Sequence, residues 1–291
     1  MSKTAIIAGQ GDLPVLSAHG ARAQGRGVVG IGLRGQYIPE FPAACDEFVE
    51  VGVMQPGKWL RAANRFGIDD AILIGRVSKR IMHEKSRIRR ALRELPDLYA
   101  INLWYRRLRH DHRTSVLLKT LADDLAQRGL LLVDSTTYLP EHLATEGTMG
   151  SIQPSSGCLG DIAFGWPLLL ATSRLHFGQA IAVRERDVIS VEAVEGTDAL
   201  ITRTGGLCPR GGWTLFKTAA PDHDMRADVP TIGVKTIENA AANGCACIAM
   251  GAGRVILANR DEVIAAADKA GIALVGMAGE IDPDAPRSED G

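Results

Sequence analysis

The first 75 residues constrain the fold most. Short apolar runs, "TAIIAG", "GVVGIGL", "EFVEVGV" and "DAILIG", alternate with segments of helical spacing, "LPVLSAHGARAQG" and "GKWLRAANRFG". Runs without a polar face belong to strands covered on both sides, and their alternation with helices implies parallel crossover units. Pro14 falls in the first turn of the first helix and Gly25 at its end, while Gly67 stops the second. With glycines in the turn after the first strand, the expected architecture is α/β, beginning with a Rossmann-like sheet.

The remainder continues the theme with a change of texture. Residues 76–93 carry eight Lys/Arg against one acid, Glu84, and lead into "LPDLYAINLWYRRL", an apolar and aromatic helix. The helix "TSVLLKTLADDLAQRG" and the strand "LLLVDSTTY" come next. "ATEGTMGSIQPSSGCLG", rich in Gly, Ser and Pro, reads as an interdomain linker. Beyond it come a helix around 161–176, a hairpin in "QAIAVRERDVISVEAV", a short helix in "EGTDALITRTGG", and the strand "WTLFKTA". Then "VKTIENAAANG", "CACIAMG", "RVILA", "RDEVIAAADKAG" and "IALVGM" alternate helix, strand, strand, helix, strand. The expected organisation is a Rossmann-like domain over 1–145, a linker over 146–160, a distinct C-terminal α/β domain over 161–279, and a disordered acidic tail over 280–291.

Bulk charge excludes one function class. Lys+Arg 33 against Asp+Glu 34 gives a net charge of -1, which argues against a globally basic nucleic-acid binder. No apolar run reaches the roughly 18 residues of a membrane span, and Met-Ser-Lys-Thr leads directly into a strand, so the expectation is a soluble protein made in the cytosol. The cysteines at 45, 158, 208, 245 and 247 include no C-x-x-C pair and are expected to be reduced and structural. Cys245 and Cys247, two apart in a strand, should share one face.

Four stretches can carry chemistry. In "AGQGDLP", Gly9 and Gly11 allow backbone to approach a phosphate, and Asp12 opens a helix whose free N–H groups favour an anion. Pro14 stands where the dinucleotide fingerprint has its third glycine, which favours a mononucleotide or diphosphate over NAD; steric need alone also places glycine in such turns. "HDH" at 110–112 suggests a metal, but three successive helical residues point in different directions, and a charged helix start explains it as well.

"PDHDMRADVPTIG", residues 221–233, concentrates Asp222, His223, Asp224, Arg226 and Asp228. In an extended segment Asp224, Arg226 and Asp228 share one face, where carboxylates suit Mg²⁺ and the arginine suits a phosphate. The competing reading is a solvated loop that caps the next helix. In "EGTDA", Thr197 or Asp198 is either a helix N-cap or a sugar or metal contact. Lys217, closing "WTLFK", is either a phosphate partner or an ordinary edge lysine.

In their order and spacing, "IAGQGDLP", "GQAIAV", "VEGTDALITR" and "DMRADVPTIG" followed by "NAAANGCACIAMGAGRVILANRDEVIAAADKAGIALVG" resemble one family over the full length. It is the UDP-2,3-diacylglucosamine pyrophosphatases of lipid A synthesis that are not metallophosphoesterases. The resemblance implies hydrolysis of the diphosphate of UDP-2,3-diacylglucosamine to UMP and 2,3-diacylglucosamine 1-phosphate, with a divalent cation, usually Mg²⁺. It implies a ligand cleft between an N-terminal Rossmann-like domain and the C-terminal α/β domain, and a homodimer. The family's essential aspartate, two residues before the proline, is Asp228 here, implied to be catalytic by metal binding or water activation; Asp224 is the second metal candidate. Gly9, Gly11, Asp12, Gly75, Gln179, Thr197, Asp198, Lys217 and Arg226 are the substrate-binding candidates. His223 stands where the family usually has glutamine, and "HDHRT" where it has Gly-Asp-Asp.

The cations of 76–93 beside Leu98, Ile101, Leu103 and Trp104 suit either a solvated face over a core-facing stripe or peripheral contact with an anionic inner-membrane surface. A non-catalytic nucleotide-sugar or lipid-binding regulator, a hydrolase of another nucleotide diphosphate, and a transferase using a UDP-sugar are the alternatives in function.

Overall fold

The computed structural model describes residues 2–77, 95–109, 114–175, 178–220, 223–226 and 228–279. They fall into two compact units, one of Met1–Leu139 with Asp224–Asp228, the other of Pro140–His223 with Val229–Gly291.

The first unit is built on β1 (Lys3–Ala8), β2 (Gly27–Leu33), β3 (Glu47–Val51), β4 (Asp70–Ile74) and β5 (Leu131–Leu132). All pairs are parallel, in the order β3-β2-β1-β4-β5. This is the order of a doubly wound sheet, whose ligands sit outside the carboxyl ends of the strands where the order reverses, here between β1 and β4. One face packs Ala5, Ile7, Val29 and Ile31 against Trp59 and Ala62 of α2 (Pro56–Phe66) and Leu125 of α4 (Thr114–Gln127). α1 (Leu13–Ala23) lies against β1 and β2, burying Ala18 and Ala21. Strands covered on both faces need the continuous apolar runs seen in the sequence. α2 ends at Gly67, whose φ of 61° permits the left-handed cap in which its N–H and that of Ile68 bond the Ala63 carbonyl.

The run "LLLVDSTTY" keeps only two strand residues. After Val133 bonds the Ala71 carbonyl, the Asp134 carboxylate accepts from the N–H and hydroxyl of Thr136 at 2.7 Å each and folds the chain into a turn. The aromatic helix is α3 (Leu98–Leu103), capped by Asp97, whose carboxylate accepts the Ala100 N–H at 2.9 Å. It widens into a π turn over Trp104–Leu108.

The second unit holds a mixed sheet in the order β6-β13-β11-β9-β7-β8. Its parallel centre is β9 (Trp213–Lys217), β11 (Cys245–Gly251) and β13 (Ala273–Met277); β6 (Gly147–Met149) and β7 (Ala180–Arg184) flank it antiparallel, and β8 (Asp187–Val191) hairpins onto β7. Glu185 and Arg186 turn the hairpin with positive φ, and the buried Asp161 carboxylate fixes it by accepting the Arg186 N–H at 2.8 Å. A separate parallel pair joins β10 (Thr231–Ile232) to β12 (Ile256–Leu257). α6 (Thr197–Leu207), α7 (Val234–Ala242) and α8 (Arg260–Ala270) contribute to the core on one face of the sheet, and α5 (Ser156–Ser173) covers the other.

Two expectations are corrected. The stretch read as a linker is folded: β6 pairs with β13, and α5 begins at Ser156, with the Ser155 hydroxyl accepting the Cys158 N–H at 3.2 Å. Its glycines and serines serve a short edge strand and a helix cap. Cys245 and Cys247 do not share a face, because the β9–β11 register shifts between them. The bulge adds one residue, so Cys245 packs with Leu215 and Ile248 while Cys247 packs with Phe216 under α5. All five thiols are free.

Candidate functional site

In the first unit, the turns after β1 and β4 meet at the switch point. Gly9 N–H bonds the Ile74 carbonyl at 2.8 Å, and Gln10 and Arg76 exchange N–H···O bonds of 2.7 and 3.0 Å. A Cβ on Gly9 would fall 2.7 Å from the Arg76 oxygen and the Gly75 carbonyl carbon; one on Gly75, at φ 95°, would fall 2.7 Å from the Gly9 carbonyl carbon. These two glycines are therefore demanded by the crossing of the two turns. Gly11 is different: its φ is 98° and nothing lies within 4 Å of where its Cβ would be, so its backbone faces open space. Asp12 is the N-cap residue of α1 and its exposed carboxylate caps nothing within the helix.

The segment 224–228 reaches the same carboxyl edge. Buried Ser135, just past β5, donates its hydroxyl to the Leu73 carbonyl at 2.8 Å and its N–H to the Met225 carbonyl at 3.0 Å, placing the segment beside the end of β4. The segment is not extended as expected. The Asp224 carboxylate accepts the Arg226 N–H at 3.1 Å and closes a turn over Met225 and Arg226. The same carboxylate takes the guanidinium on both oxygens, from Nε at 2.8 and 3.1 Å and Nη2 at 2.6 Å, while Asp123 of α4 accepts Nη2 at 2.9 Å. Asp224, then Asp123, push the Arg226 pKa further up against the effect of burial, so the cation is permanent. Asp228 is exposed at the end of the segment. The residues just beyond Asp228 are structural: buried Pro230 gives its carbonyl to Ile256 N–H at 2.9 Å, and Thr231–Ile232 is β10.

The second unit gathers its candidates at one end of its sheet. Lys217 ends β9, Gln179 precedes β7, and Glu192 comes directly after β8; antiparallel pairing of β7 with both neighbours brings these positions together. Lys217 is only 7% exposed and Glu192 9%. The Lys217 ammonium donates to the Thr197 hydroxyl at 2.7 Å, and that hydroxyl donates to Glu192 Oε1 at 3.1 Å. An ammonium can only donate, so the direction of the Thr197 proton is settled. Glu192 Oε2 accepts the Gln179 N–H at 3.2 Å. The cap of α6 is Gly196, at φ 83°, not Thr197 or Asp198. Thr197 spends its hydroxyl on the Lys217–Glu192 relay, and Asp198 is exposed in the first helical turn, its carbonyl accepting from Asn239 at 3.0 Å.

A family model described as the LpxI N-terminal domain matches residues 3–142, and one described as the LpxI C-terminal domain matches residues 145–275. A curated relative from Caulobacter vibrioides, UDP-2,3-diacylglucosamine pyrophosphatase LpxI, is 32% identical over 287 residues, covering 95% of this chain and 98% of the relative. The chain belongs to the LpxI family.

Within this LpxI-family chain, Asp224 and Asp228, the carboxylates expected to hold a divalent cation, differ in their surroundings. Mg²⁺ takes one or two carboxylates with waters and phosphate oxygens. Asp228 is exposed, and both oxygens of Asp224 accept from Arg226. Among the described residues no group of three or more His, Cys, Asp or Glu side chains suits a metal. Asp222, the His110-Asp111-His112 run, the tail 280–291 and all but Arg76 and Val77 of the basic segment lie outside the described residues.

Sequence reasoning missed Glu192, Asp123 and Ser135. Glu192 sits in "VISVEAVEG", where alternation makes it one more polar strand residue. Only the pairing of β7 with β8 and β9 reveals that it faces Lys217. Asp123 is the first acid of an ordinary "ADD" on a helix, and nothing local ties it to Arg226, 103 positions away.

Proposed function

We propose that this chain hydrolyses the diphosphate of UDP-2,3-diacylglucosamine, releasing UMP and 2,3-diacylglucosamine 1-phosphate. The observation that carries the reading is the full-length match to a relative that bears that substrate and reaction in its name. The chemistry in each unit supports it. A diphosphate needs fixed cations where charge builds up on the departing phosphate, and Arg226 and Lys217 are cations held in place by neighbouring carboxylates and a hydroxyl. The open backbone at Gly11 and the start of α1 suit the nucleotide phosphate, and Gln179 and Asp198 the sugar side, while Thr197 holds Lys217 in place.

Asp228 is the essential carboxylate, holding the cation or the attacking water. With the phosphate oxygens of the substrate it suits a divalent cation such as Mg²⁺, which when bound supplies charge neutralisation on the diphosphate. The role of Asp224 is to hold Arg226. Water bonds to one phosphorus and gives up a proton to solvent, the bridging P–O bond breaks, and its electron pair leaves on the other phosphate. The family resemblance extends the proposal to a homodimer working at the cytoplasmic face of the inner membrane. Chromatographic detection of UMP from UDP-2,3-diacylglucosamine in nonionic detergent tests the reading: release that needs only water and stops with EDTA is expected. Binding without UMP, or a requirement for an acceptor other than water, would overturn it.

A further inference from the structure

The N-terminal unit carries an apolar patch that the hydrolytic site does not use. On α3 and its π turn, Leu98 is 85% exposed, Ile101 52%, Trp104 44% and Tyr105 68%. Spacings of three and four put Leu98, Ile101 and Tyr105 on one stripe, while Leu103 faces inward and is buried. Single exposed apolar residues need no explanation, but four large ones within eight positions form a patch that water disfavours.

The charge beside the patch indicates what covers it. Between α3 and α4 lies a cavity of about 460 Å³ whose apolar wall includes Leu98 and whose polar lining is Asn102, Arg106, Arg107, Gln127 and Arg128, with Asp124 as its acid. Three guanidinium groups thus face one carboxylate. That carboxylate is already engaged, accepting from Arg128 Nε at 2.8 Å and from the Tyr99 hydroxyl. Burial acts to raise its pKa, and the Tyr99 and Arg128 bonds outweigh this and hold it below the usual range. Arg109 stacks over the Tyr105 ring at 5.1 Å. Aliphatic and aromatic side chains along one helical stripe, bordered by arginines around an open polar cavity, match the boundary between lipid headgroups and acyl chains.

We propose that α3 and its π turn dock this unit on an anionic bilayer, with Leu98, Ile101, Trp104 and Tyr105 in the headgroup–acyl boundary and Arg106, Arg107 and Arg128 around a lipid phosphate. The inference deepens the proposed function, on which the choice of an acyl-lipid surface rests. The patch holds the enzyme at the interface from which a diacylated substrate must be drawn.

Vesicle flotation of the full chain tests this, using phosphatidylcholine alone and phosphatidylcholine with phosphatidylglycerol, each at low and high salt. The expected result is flotation with the anionic vesicles that weakens as salt rises. Arg106→Ala with Arg107→Ala should weaken it about 30-fold, the effect of two near-surface arginines. Leu98→Ser, Ile101→Ser and Tyr105→Ser combined should abolish it. All these residues are exposed, so folding is preserved, which circular dichroism checks. Equal flotation with neutral vesicles, parental flotation of both variants, or no flotation of the parent would overturn the proposal. So would a dimer dispersed by the serine variant in a chain that ignores vesicles. UMP release from detergent-dispersed substrate, measured on the same variants, is expected at the parental rate. A parent that floats but releases no UMP would sink the hydrolase reading and leave the docking surface standing.

Discussion

Replacing Thr197 with valine keeps the shape of the side chain and removes only the hydroxyl that joins Lys217 to Glu192. The hydroxyl accepts from an ammonium at 2.7 Å and donates to a carboxylate at 3.1 Å, with both charges under 10% exposed. Hydrogen bonds to charged groups contribute about 1.5–3 kcal/mol each, so the two together set an upper bound near 6 kcal/mol. Lys217 and Glu192 can relax toward one another, which recovers part of the loss, and the net cost should be about 2–3 kcal/mol. Thr197→Ser keeps the hydroxyl and gives up a methyl, a loss of about 0.8 kcal/mol at most. The assay is urea unfolding monitored by tryptophan fluorescence. Two units need not unfold together, so Trp59 and Trp104 of the first unit are replaced by phenylalanine, leaving Trp166 and buried Trp213 to report on the second. At a typical slope of about 1–3 kcal/mol per molar urea, the valine variant should unfold about 1 M earlier and the serine variant within a few tenths molar of the parent. A valine variant no less stable than the serine variant would refute the relay.

The same geometry sets four further outcomes. Glu192→Gln has one carbonyl for two donors, Thr197 Oγ1 and Gln179 N–H, and should cost about 1–2 kcal/mol, less than Glu192→Ala in the same urea assay. Gly75→Ala forces a Cβ to 2.7 Å from the Gly9 backbone and should lower the melting temperature far more than Gly11→Ala, which meets nothing and bears only the left-handed penalty of about 1–2 kcal/mol. Acid should weaken the first unit through Asp46, whose pKa is lowered by the Val28 N–H and then by Arg22. Because the folded pKa lies below the unfolded one, this stabilisation is present above about pH 4 and is lost as pH falls through the folded value; Asp46→Asn should flatten that acid limb of a melting-temperature profile. Arg226→Lys loses the two-oxygen grip on Asp224 and should reduce UMP release while leaving the melting temperature within a few degrees, since the ion pairs it breaks are partly solvent-exposed.

The elements of this chain were legible because buried parallel strands must be apolar throughout, as "TAIIAG" and "GVVGIGL" are. Gly25 and Gly67 marked helix ends for reasons of backbone geometry alone. Departures came where tertiary contacts overrode local pattern. "ATEGTMGSIQPSS" has the composition of a linker, yet β13 offers an edge on which three of its residues pair. The bulge that parts Cys245 from Cys247 leaves no trace in an unbroken apolar run. Gly9 in sequence suits a phosphate or a steric turn equally, and the close approach of the Gly9 and Gly75 backbones that requires both glycines comes from strands distant in sequence. The acidic run stands out by composition, while Ser135 and Asp123, which bond Met225 and Arg226, carry no local signal because only the fold brings them near.

The most direct test of the account is the fate of UDP-2,3-diacylglucosamine with the full chain and with Asp228→Ala, each assayed for UMP release and by mass spectrometry of lipid carried through purification. The parent should release UMP in an EDTA-sensitive manner, and Asp228→Ala should remain folded, release essentially none, and carry the intact UDP-lipid. Cleavage by Asp228→Ala at the parental rate would contradict the assignment of Asp228.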